Sequence, residues 1–185
     1  MNSRPMAQTK KMVLAAVFTA LTAVGAFIRI PIPYVPIVLQ GLFVFMAGAL
    51  LGSKWGMLSQ LVYVVLGLIG IPIFTQGGGP GYVLQPTFGF LMGFIPAAFV
   101  TGLVVEKRNQ KNFQTMLIAC LSGMVVIYLI GVPYLAVIYQ MVLGKTNVVW
   151  LAFYTGCLIC IPGDIIKALL AVFLSLRLYP HLTRR

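Results

Sequence analysis

The sequence contains few charged residues, and acidic ones are nearly absent. Charged side chains make up 8% of the 185 residues, whereas a soluble domain carries about 25%. The chain has 2 acidic residues against 13 lysines and arginines, and 61% of it is hydrophobic. This composition excludes a soluble globular protein and predicts one integral membrane domain over residues 1–185.

Metal-binding residues and the common catalytic motifs are also missing. Cys157 and Cys160 form a C-x-x-C, but the single histidine, His181, cannot complete a zinc site with them. The chain lacks the G-x-x-x-x-G-K-[ST] nucleotide loop, H-E-x-x-H and G-x-S-x-G. We therefore expect no enzyme activity, no catalytic residue, no metal, no cofactor and no ATP hydrolysis by this chain.

Long apolar runs predict an all-α protein with six transmembrane helices. A helix needs roughly 20 residues to cross a hydrocarbon core about 30 Å thick, and shorter spans of about 17 are possible. The predicted spans are residues 12–30, 38–51, 55–70, 86–105, 113–143 and 162–178. We expect the fifth span to be interrupted at residues 131–133. The apolar segment 148–161 is expected to dip into the outer leaflet or lie along it.

The positions of the basic residues predict how these spans are oriented. Two of them, Arg29 and Lys145, fall on one side of the membrane, and Lys167 falls inside the sixth span. Ten fall on the other side: Arg4, Lys10, Lys11, Lys54, Lys107, Arg108, Lys111, Arg177, Arg184 and Arg185. The positive-inside rule then makes both the N and C termini cytoplasmic. The net charge of +11 is thus a topology signal, aided by membrane lipid, and we expect no nucleic acid as partner.

Asp164 and Lys167 are the charged residues inside the sixth span, in the outer half of the membrane. Their i, i+3 spacing puts both side chains on one helix face, and the helix dipole favours an anion in the first turn. Ionisable residues inside a membrane usually serve a function, because a lone charge is costly there. The pair is either a polar anchor in a solute pocket or a structural ion pair that tethers helices.

Two loops without charge, residues 31–40 and 71–90, lie on the same outer side. The second contains the stretch GGGPGY, and glycine permits close backbone approach to a ligand. Tyr82 and Gln85 add polar groups, and Phe90 adds an apolar ring. Ligand pockets are mainly apolar with a few converging polar groups. The loop is therefore interpreted as a lid over a pocket, with an ordinary connector as the alternative.

Span one carries small residues at helical spacing. Ala16 and Ala20 are four residues apart, with Ala23 next on the same face. Small-x-x-x-small faces let helices approach closely in lipid. This face either docks a membrane partner or packs within the subunit.

Two segments resemble one known family. The sequence GLIGIPIFTQGGGPGYVLQPTFGFLMGFIPAAF, residues 67–99, is similar to the signature region of BioY, the biotin-specific substrate-binding (S) components of energy-coupling factor transporters. The sequence PGDIIKA, residues 162–168, resembles the last-helix motif of that family. Span number, length and charge layout match along nearly the whole chain.

The resemblance implies which residues contact the ligand. Asp164 and Lys167 would bind the ureido ring of biotin, whose two N–H donors suit a carboxylate and whose carbonyl suits an ammonium. Gly81 and Tyr82 would lie near the valeryl arm and its carboxylate. The apolar parts of biotin would be flanked by two aromatic residues, Phe90 and Tyr139.

The same resemblance implies the partners and the location. Ala16 and Ala20 would face a transmembrane coupling protein, the T component, which works with two ABC-type ATPases. The protein would be a multi-pass protein of the bacterial cell membrane. The family pattern GPTGGYL reads QPTFGFL here, so that Gln85 and Phe88 replace glycines and Phe90 replaces a tyrosine.

Two rival functions come from other classes. A stand-alone secondary transporter driven by ions would use Asp164 as its proton carrier. A structural or assembly protein would need Asp164 and Lys167 only as a buried ion pair. The favoured interpretation is a high-affinity biotin-binding subunit that captures its ligand outside the cell and delivers it inward with an ATP-driven partner.

Overall fold

The computed structural model describes residues 8–30, 37–108, 111–141 and 148–183. In these ranges the chain forms seven α-helices: α1 (Gln8–Phe27), α2 (Gln40–Leu51), α3 (Ser53–Leu68), α4 (Phe88–Lys107), α5 (Phe113–Met141), α6 (Val148–Phe153) and α7 (Ile161–Thr183). Two-residue strands, β1 (Arg29–Ile30) and β2 (Ile37–Val38), pair antiparallel. The predicted helical fold is confirmed, and the short β-bridge formed by β1 and β2 departs from it.

Four stretches of the described chain are helices long and apolar enough to cross a membrane: Gln8–Phe27, Phe88–Lys107, Phe113–Met141 and Trp150–Leu182. Helix α2 has 12 residues, which is about 18 Å at the helical rise and shorter than the hydrocarbon core. Every residue of α2 except Phe43 is buried, because α1, α3, α4 and α7 pack around it. A helix covered by protein need not match the thickness of the membrane.

The predicted interruption of the fifth span is wrong. Helix α5 runs unbroken through residues 131–133, with Pro133 inside it. A proline removes one N–H donor, but membrane helices tolerate this when their neighbours support the backbone. Gly131 is buried, and a Cβ there would overlap the ring of Phe90 on α4. Helix α5 therefore packs closely against α4 where the interruption was predicted. The last predicted residues, 142 and 143, lie outside the described ranges.

The sequence had suggested that the segment before the sixth span is a separate element, but the structure joins it to that span. Helix α6 leads through a π-helical turn (Tyr154–Leu158) into α7, and residues 150–182 form one apolar helical stretch. The amide of Ile159 bonds to the carbonyl of Tyr154 at 3.2 Å, and the amide of Asp164 bonds to the carbonyl of Cys160 at 2.9 Å. Pro162, the second residue of α7, needs no N–H bond there, so it does not break the path.

Glu106, the acidic residue other than Asp164, stabilises the turn between α2 and α3. Gly52 joins the two helices with φ +86°, a conformation that favours glycine. The carboxylate of Glu106, near the end of α4, accepts hydrogen bonds from the Ser53 backbone N–H at 2.9 Å and from its hydroxyl at 2.7 Å. Glu106 therefore supplies acceptors to donors at the start of α3 that have no partner within that helix.

One end of the bundle gathers several helix ends. Lys10 Nζ donates to the carbonyl of Leu182 at 2.6 Å, and Lys111 Nζ lies 4.6 Å from the centre of the Tyr179 ring. The start of α1, the start of α5 and the end of α7 therefore meet there. Asp164, at the start of α7, lies toward the opposite end.

Candidate ligand-binding site

Asp164 and Lys167 form an ion pair on α7. Lys167 is 8% exposed, and Asp164 is half-buried. Asp164 lies in the first turn of α7, where the helix dipole stabilises a negative charge. Pairing and this dipole together lower the free energy cost of holding two charges at membrane depth.

Two other segments hold the charged pair in place. The hydroxyl of Tyr128, on α5, donates to Oδ2 of Asp164, whose Oδ1 faces Lys167. Lys167 Nζ donates to the carbonyl of Val38 on β2 at 2.9 Å. The pair thus connects α5, α7 and the β-bridge.

A cavity opens directly beside the pair. Its volume is about 80 Å³, counted as the space open to the centre of a water molecule, several times the ~10–15 Å³ that one water needs. Among the described residues, the polar side chains that line it, besides the pair, are those of Gln40, Thr75, Tyr82, Thr87 and Tyr128. The apolar side chains include those of Phe45, Phe90, Leu91, Phe94, Met124 and Ile127. Mostly apolar walls with a few converging polar groups are typical of small-molecule sites.

The glycine-rich loop is folded over this cavity in a defined conformation. Gly77 and Gly79 have φ angles of +110° and +103°. The backbone pairs Phe74 with Gly77 as an antiparallel bridge, and the amide of Gly79 donates to the carbonyl of Gly67 at 2.7 Å. A 3-10 turn (Pro80–Leu84) follows. The loop is therefore held to the end of α3 by backbone hydrogen bonds.

Contacts between aromatic rings also hold the loop in place. The hydroxyl of Tyr82 shares a hydrogen bond with Oγ1 of Thr75 at 2.8 Å. The Tyr82 ring centre lies 4.6 Å from that of Phe74 and 6.4 Å from that of Phe88. Tyr134, on α5, lies 5.9 Å from Phe88 and donates to the carbonyl of Val83. Phe88 thus lies within this aromatic row.

The structure brings together some of the residues that the sequence selected. Asp164, Lys167, Tyr82 and Phe90 all line the cavity. The Phe90 ring packs edge-on against Tyr128, with 6.3 Å between ring centres.

Three other selected residues are not among those that line the cavity. Gly81 is exposed on the outer loop, and Gln85 is half-buried. Tyr139 is 1% exposed, and its hydroxyl lies 3.4 Å from Oγ1 of Thr155. It lies 11 residues beyond Tyr128, roughly 16 Å along the uninterrupted helix α5, which carries it away from Asp164.

Sequence reasoning missed Tyr128 and Gln40. Tyr128 is a hydroxyl-bearing side chain in the middle of an apolar span, which is the signal that could have identified it. Gln40 is 2% exposed, and its Nε2 donates to the Tyr63 hydroxyl at 2.5 Å. Gln40 ends the first outer loop, of which residues 31–36 lie outside the described ranges.

The small-residue face of α1 points away from the subunit. Ala16 and Ala20 are exposed, whereas Ala15, Phe18 and Thr19 are buried. Ala23 is half-buried and packs against the core. Of the two interpretations of this face, packing within the subunit does not apply to Ala16 and Ala20.

One cysteine, Cys160, is among the residues that line the cavity. Cys120, Cys157 and Cys160 are free and buried. The residues described contain no group of three histidine, cysteine or acidic side chains that could hold a metal ion.

The helical fold and the internal cavity with its few converging polar groups define a multi-pass membrane protein with a solute site. The family model described as the BioY family matches residues 1–184 of the chain. The chain belongs to the BioY family, which is a transporter family and not a class of enzymes. The family resemblance of the two sequence segments is thereby confirmed.

Relatives and a solved structure agree with this assignment. A probable biotin transporter BioY of Lysinibacillus sphaericus is 46% identical over 171 residues, covering 92% of this chain and 87% of the relative. The biotin transporter BioY of Thermotoga maritima is 37% identical, covering 91% and 95% of the two chains. A crystal structure of the S-component for biotin from an ECF-type ABC transporter superposes with a TM-score of 0.79 at 31% identity, covering 94% of each chain.

Proposed function

We propose that this chain is the biotin-binding subunit of an energy-coupling factor transporter and captures biotin from outside the cell. The observation that carries the proposal is the Asp164–Lys167 pair at the edge of an otherwise mainly apolar cavity. The relatives named as biotin transporters and the similar biotin S-component support it.

The chemistry of the pair matches the ureido ring of biotin. An ionised carboxylate only accepts hydrogen bonds, and an ammonium only donates them. Asp164 would accept from the two ring N–H groups, and Lys167 would donate to the ring carbonyl. Lys167 is held by Val38 and Asp164 by Tyr128, so both groups are oriented before the ligand arrives, which reduces the ordering cost of binding.

The apolar part of biotin would lie against aromatic rings. Phe90 and Tyr82 both line the cavity. A hydrogen bond between the hydroxyls of Tyr82 and Thr75 fixes the Tyr82 ring. Gly81 and Gln85, on the outer face of the same loop, would act as lid residues near the ligand's arm. Tyr139 would support the π-helical turn through Thr155 instead of contacting the ligand.

We further propose one domain over residues 1–185, with six membrane-embedded helices and both termini cytoplasmic. The contact of Lys10 with Leu182 supports termini on one side, and the basic residues near that end support the cytoplasmic assignment. The two shorter helices, α2 and α3, would complete the set of six, with α2 enclosed by protein. The cavity would then face the outside of a bacterial cell membrane.

The energy for release would come from partners. The chain carries no nucleotide-binding loop, so two ABC-type ATPases and a transmembrane T component would supply the motion. The exposed Ala16 and Ala20 of α1 would form the docking face for the T component, because small side chains permit close helix approach in lipid.

Titration calorimetry on the full chain purified in detergent tests the binding function. We expect biotin to bind tightly, and lipoic acid, which has an acidic arm but no ureido ring, to bind far more weakly. A chain that binds neither compound, or both equally, would refute a biotin site.

Vesicles test the need for partners. We expect vesicles that contain this chain alone to accumulate no biotin, with or without an ion gradient, and vesicles with the coupling module and ATP to accumulate it. Gradient-driven uptake by the chain alone, abolished by an uncoupler, would favour an ion-coupled secondary transporter instead.

A further inference from the structure

Arg29 is exposed and does not itself line the cavity, but it contacts two segments that do. It is the first residue of β1 and pairs in the ladder with Val38. Its Nη1 donates to the backbone carbonyl of Thr75 at 2.6 Å. Val38 and Thr75 both line the cavity, and Val38 also accepts the hydrogen bond of Lys167. One strand residue therefore connects Arg29 with the charged pair.

The positive charge of Arg29 has no acidic partner in the described part of the chain. The sequence contains two acidic residues. Asp164 is engaged by Lys167 and Tyr128, and Glu106 is engaged by Ser53. Arginine and aspartate or glutamate otherwise pair readily at protein surfaces, so the composition itself leaves this cation available for an anion from outside the chain.

The guanidinium also keeps donors for a second acceptor. It has five N–H groups in a fixed fork, and the bond to Thr75 engages one of them. The fork suits a carboxylate, which it can bind through two parallel hydrogen bonds. The glycine-rich loop, residues 71–90, carries no charge. Arg29 therefore supplies the positive charge where that loop meets the β-bridge.

We propose that Arg29 binds the carboxylate of the ligand at the cavity rim. This inference rests on the proposed function, in which Asp164 and Lys167 hold the ureido ring inside the cavity. The acidic end of the ligand's flexible arm then lies toward the rim. Arg29 thereby makes the site prefer a carboxylate-bearing ligand over neutral analogues with the same ring.

The experiment compares ligands that differ only at the acidic end. Dissociation constants are measured by calorimetry for biotin and for biotinol and biotinamide, whose groups are neutral, on the full chain in an uncharged detergent. We expect the wild-type chain to prefer biotin by about fivefold to tenfold, less than for a buried hydrogen bond to a charged group because Arg29 is exposed. Arg29→Gln should remove this preference by weakening biotin binding alone.

Three further variants sharpen the comparison. Arg29→Lys keeps the charge without the fork and should retain part of the preference. Arg177→Gln, which removes an exposed arginine near the far end of α7, should leave all three affinities unchanged. Asp164→Asn should weaken the three ligands by the same factor, because they share the ureido ring.

The outcomes separate this inference from its rivals. An equal loss for biotin and biotinol in Arg29→Gln would mean that Arg29 only fastens the loop through Thr75, and would overturn the inference. An unchanged preference would also overturn it, because another part of the site would then recognise the carboxylate. A wild-type chain that binds none of the three ligands would instead remove the proposed function itself.

Discussion

The hydroxyl of Tyr128 on α5 donates a hydrogen bond to Oδ2 of Asp164 on α7. Because Oδ1 of Asp164 faces Lys167, each carboxylate oxygen has one partner before any ligand binds. An ionised carboxylate can accept about four hydrogen bonds, so it keeps capacity for the N–H groups of a ligand. Tyr128 is therefore a positioning residue that fixes the rotamer of Asp164 toward the cavity.

Removing the Tyr128 hydroxyl should weaken ligand binding without unfolding the protein. In Tyr128→Phe the ring still packs against Phe90, but Asp164 loses a donor that holds it. We expect biotin affinity to fall by about 1 kcal/mol, roughly fivefold, as for one hydrogen bond. Tyr154→Phe is the matched control, because Tyr154 is exposed. Equal affinities for wild type and Tyr128→Phe in calorimetry would show that Asp164 needs no such support.

Asp164 and Lys167 should act as a unit in binding. We expect Asp164→Asn and Lys167→Met each to lose about 1.5–3 kcal/mol of biotin affinity, the range for hydrogen bonds to charged groups. The double variant should lose less than the sum, because contacting residues couple. Ile166→Leu, on the exposed side of the same helix, is the control.

The same double variant tests the structural alternative. A pair that serves only as a helix tether would change the melting temperature in detergent while leaving the dissociation constant of biotin unaltered. If the double variant loses as much biotin affinity as the sum of the two single variants, Asp164 and Lys167 act independently and not as a unit.

The conformation of the loop should depend on Gly79. Its φ of +103° and ψ of +166° lie in a region that only glycine occupies readily, at a penalty of about 1–3 kcal/mol for other residues. We expect Gly79→Ala to lower the thermal stability of the ligand-free protein in detergent and to expose the loop to protease. Gly81→Ala is the matched control, because Gly81 has open space around it, as does Gly79, but no positive φ. Similar protease sensitivity for both variants would mean that the conformation of the loop does not depend on the positive φ of Gly79.

The exposed face of α1 should matter for transport but not for binding. We expect Ala16→Trp and Ala20→Trp to bind biotin normally in detergent, because both positions point away from the core. Biotin uptake in cells that contain the coupling module should be lost, because a large side chain prevents close helix approach. Leu129→Trp, at a 68% exposed position on α5, should transport normally. Normal uptake by both alanine variants would place the docking face elsewhere.

The sequence by itself determined the class of fold and the family. Apolar runs and the scarcity of charge predict membrane helices, because hydrophobic length and charge placement are local properties of the chain. The i, i+3 spacing of Asp164 and Lys167 likewise fixes their common helix face, so their ion pair could be predicted before the fold was known.

Only the tertiary structure decided which residues join that pair around a cavity. Tyr128 meets Asp164, and Tyr139 does not, because α5 passes straight through Pro133. Likewise, Val38 and Arg29 come together only through pairing between β1 and β2, and α5 packs closely against Phe90 at Gly131. Such contacts join residues far apart in the chain, and they depend on helix packing that no local pattern encodes.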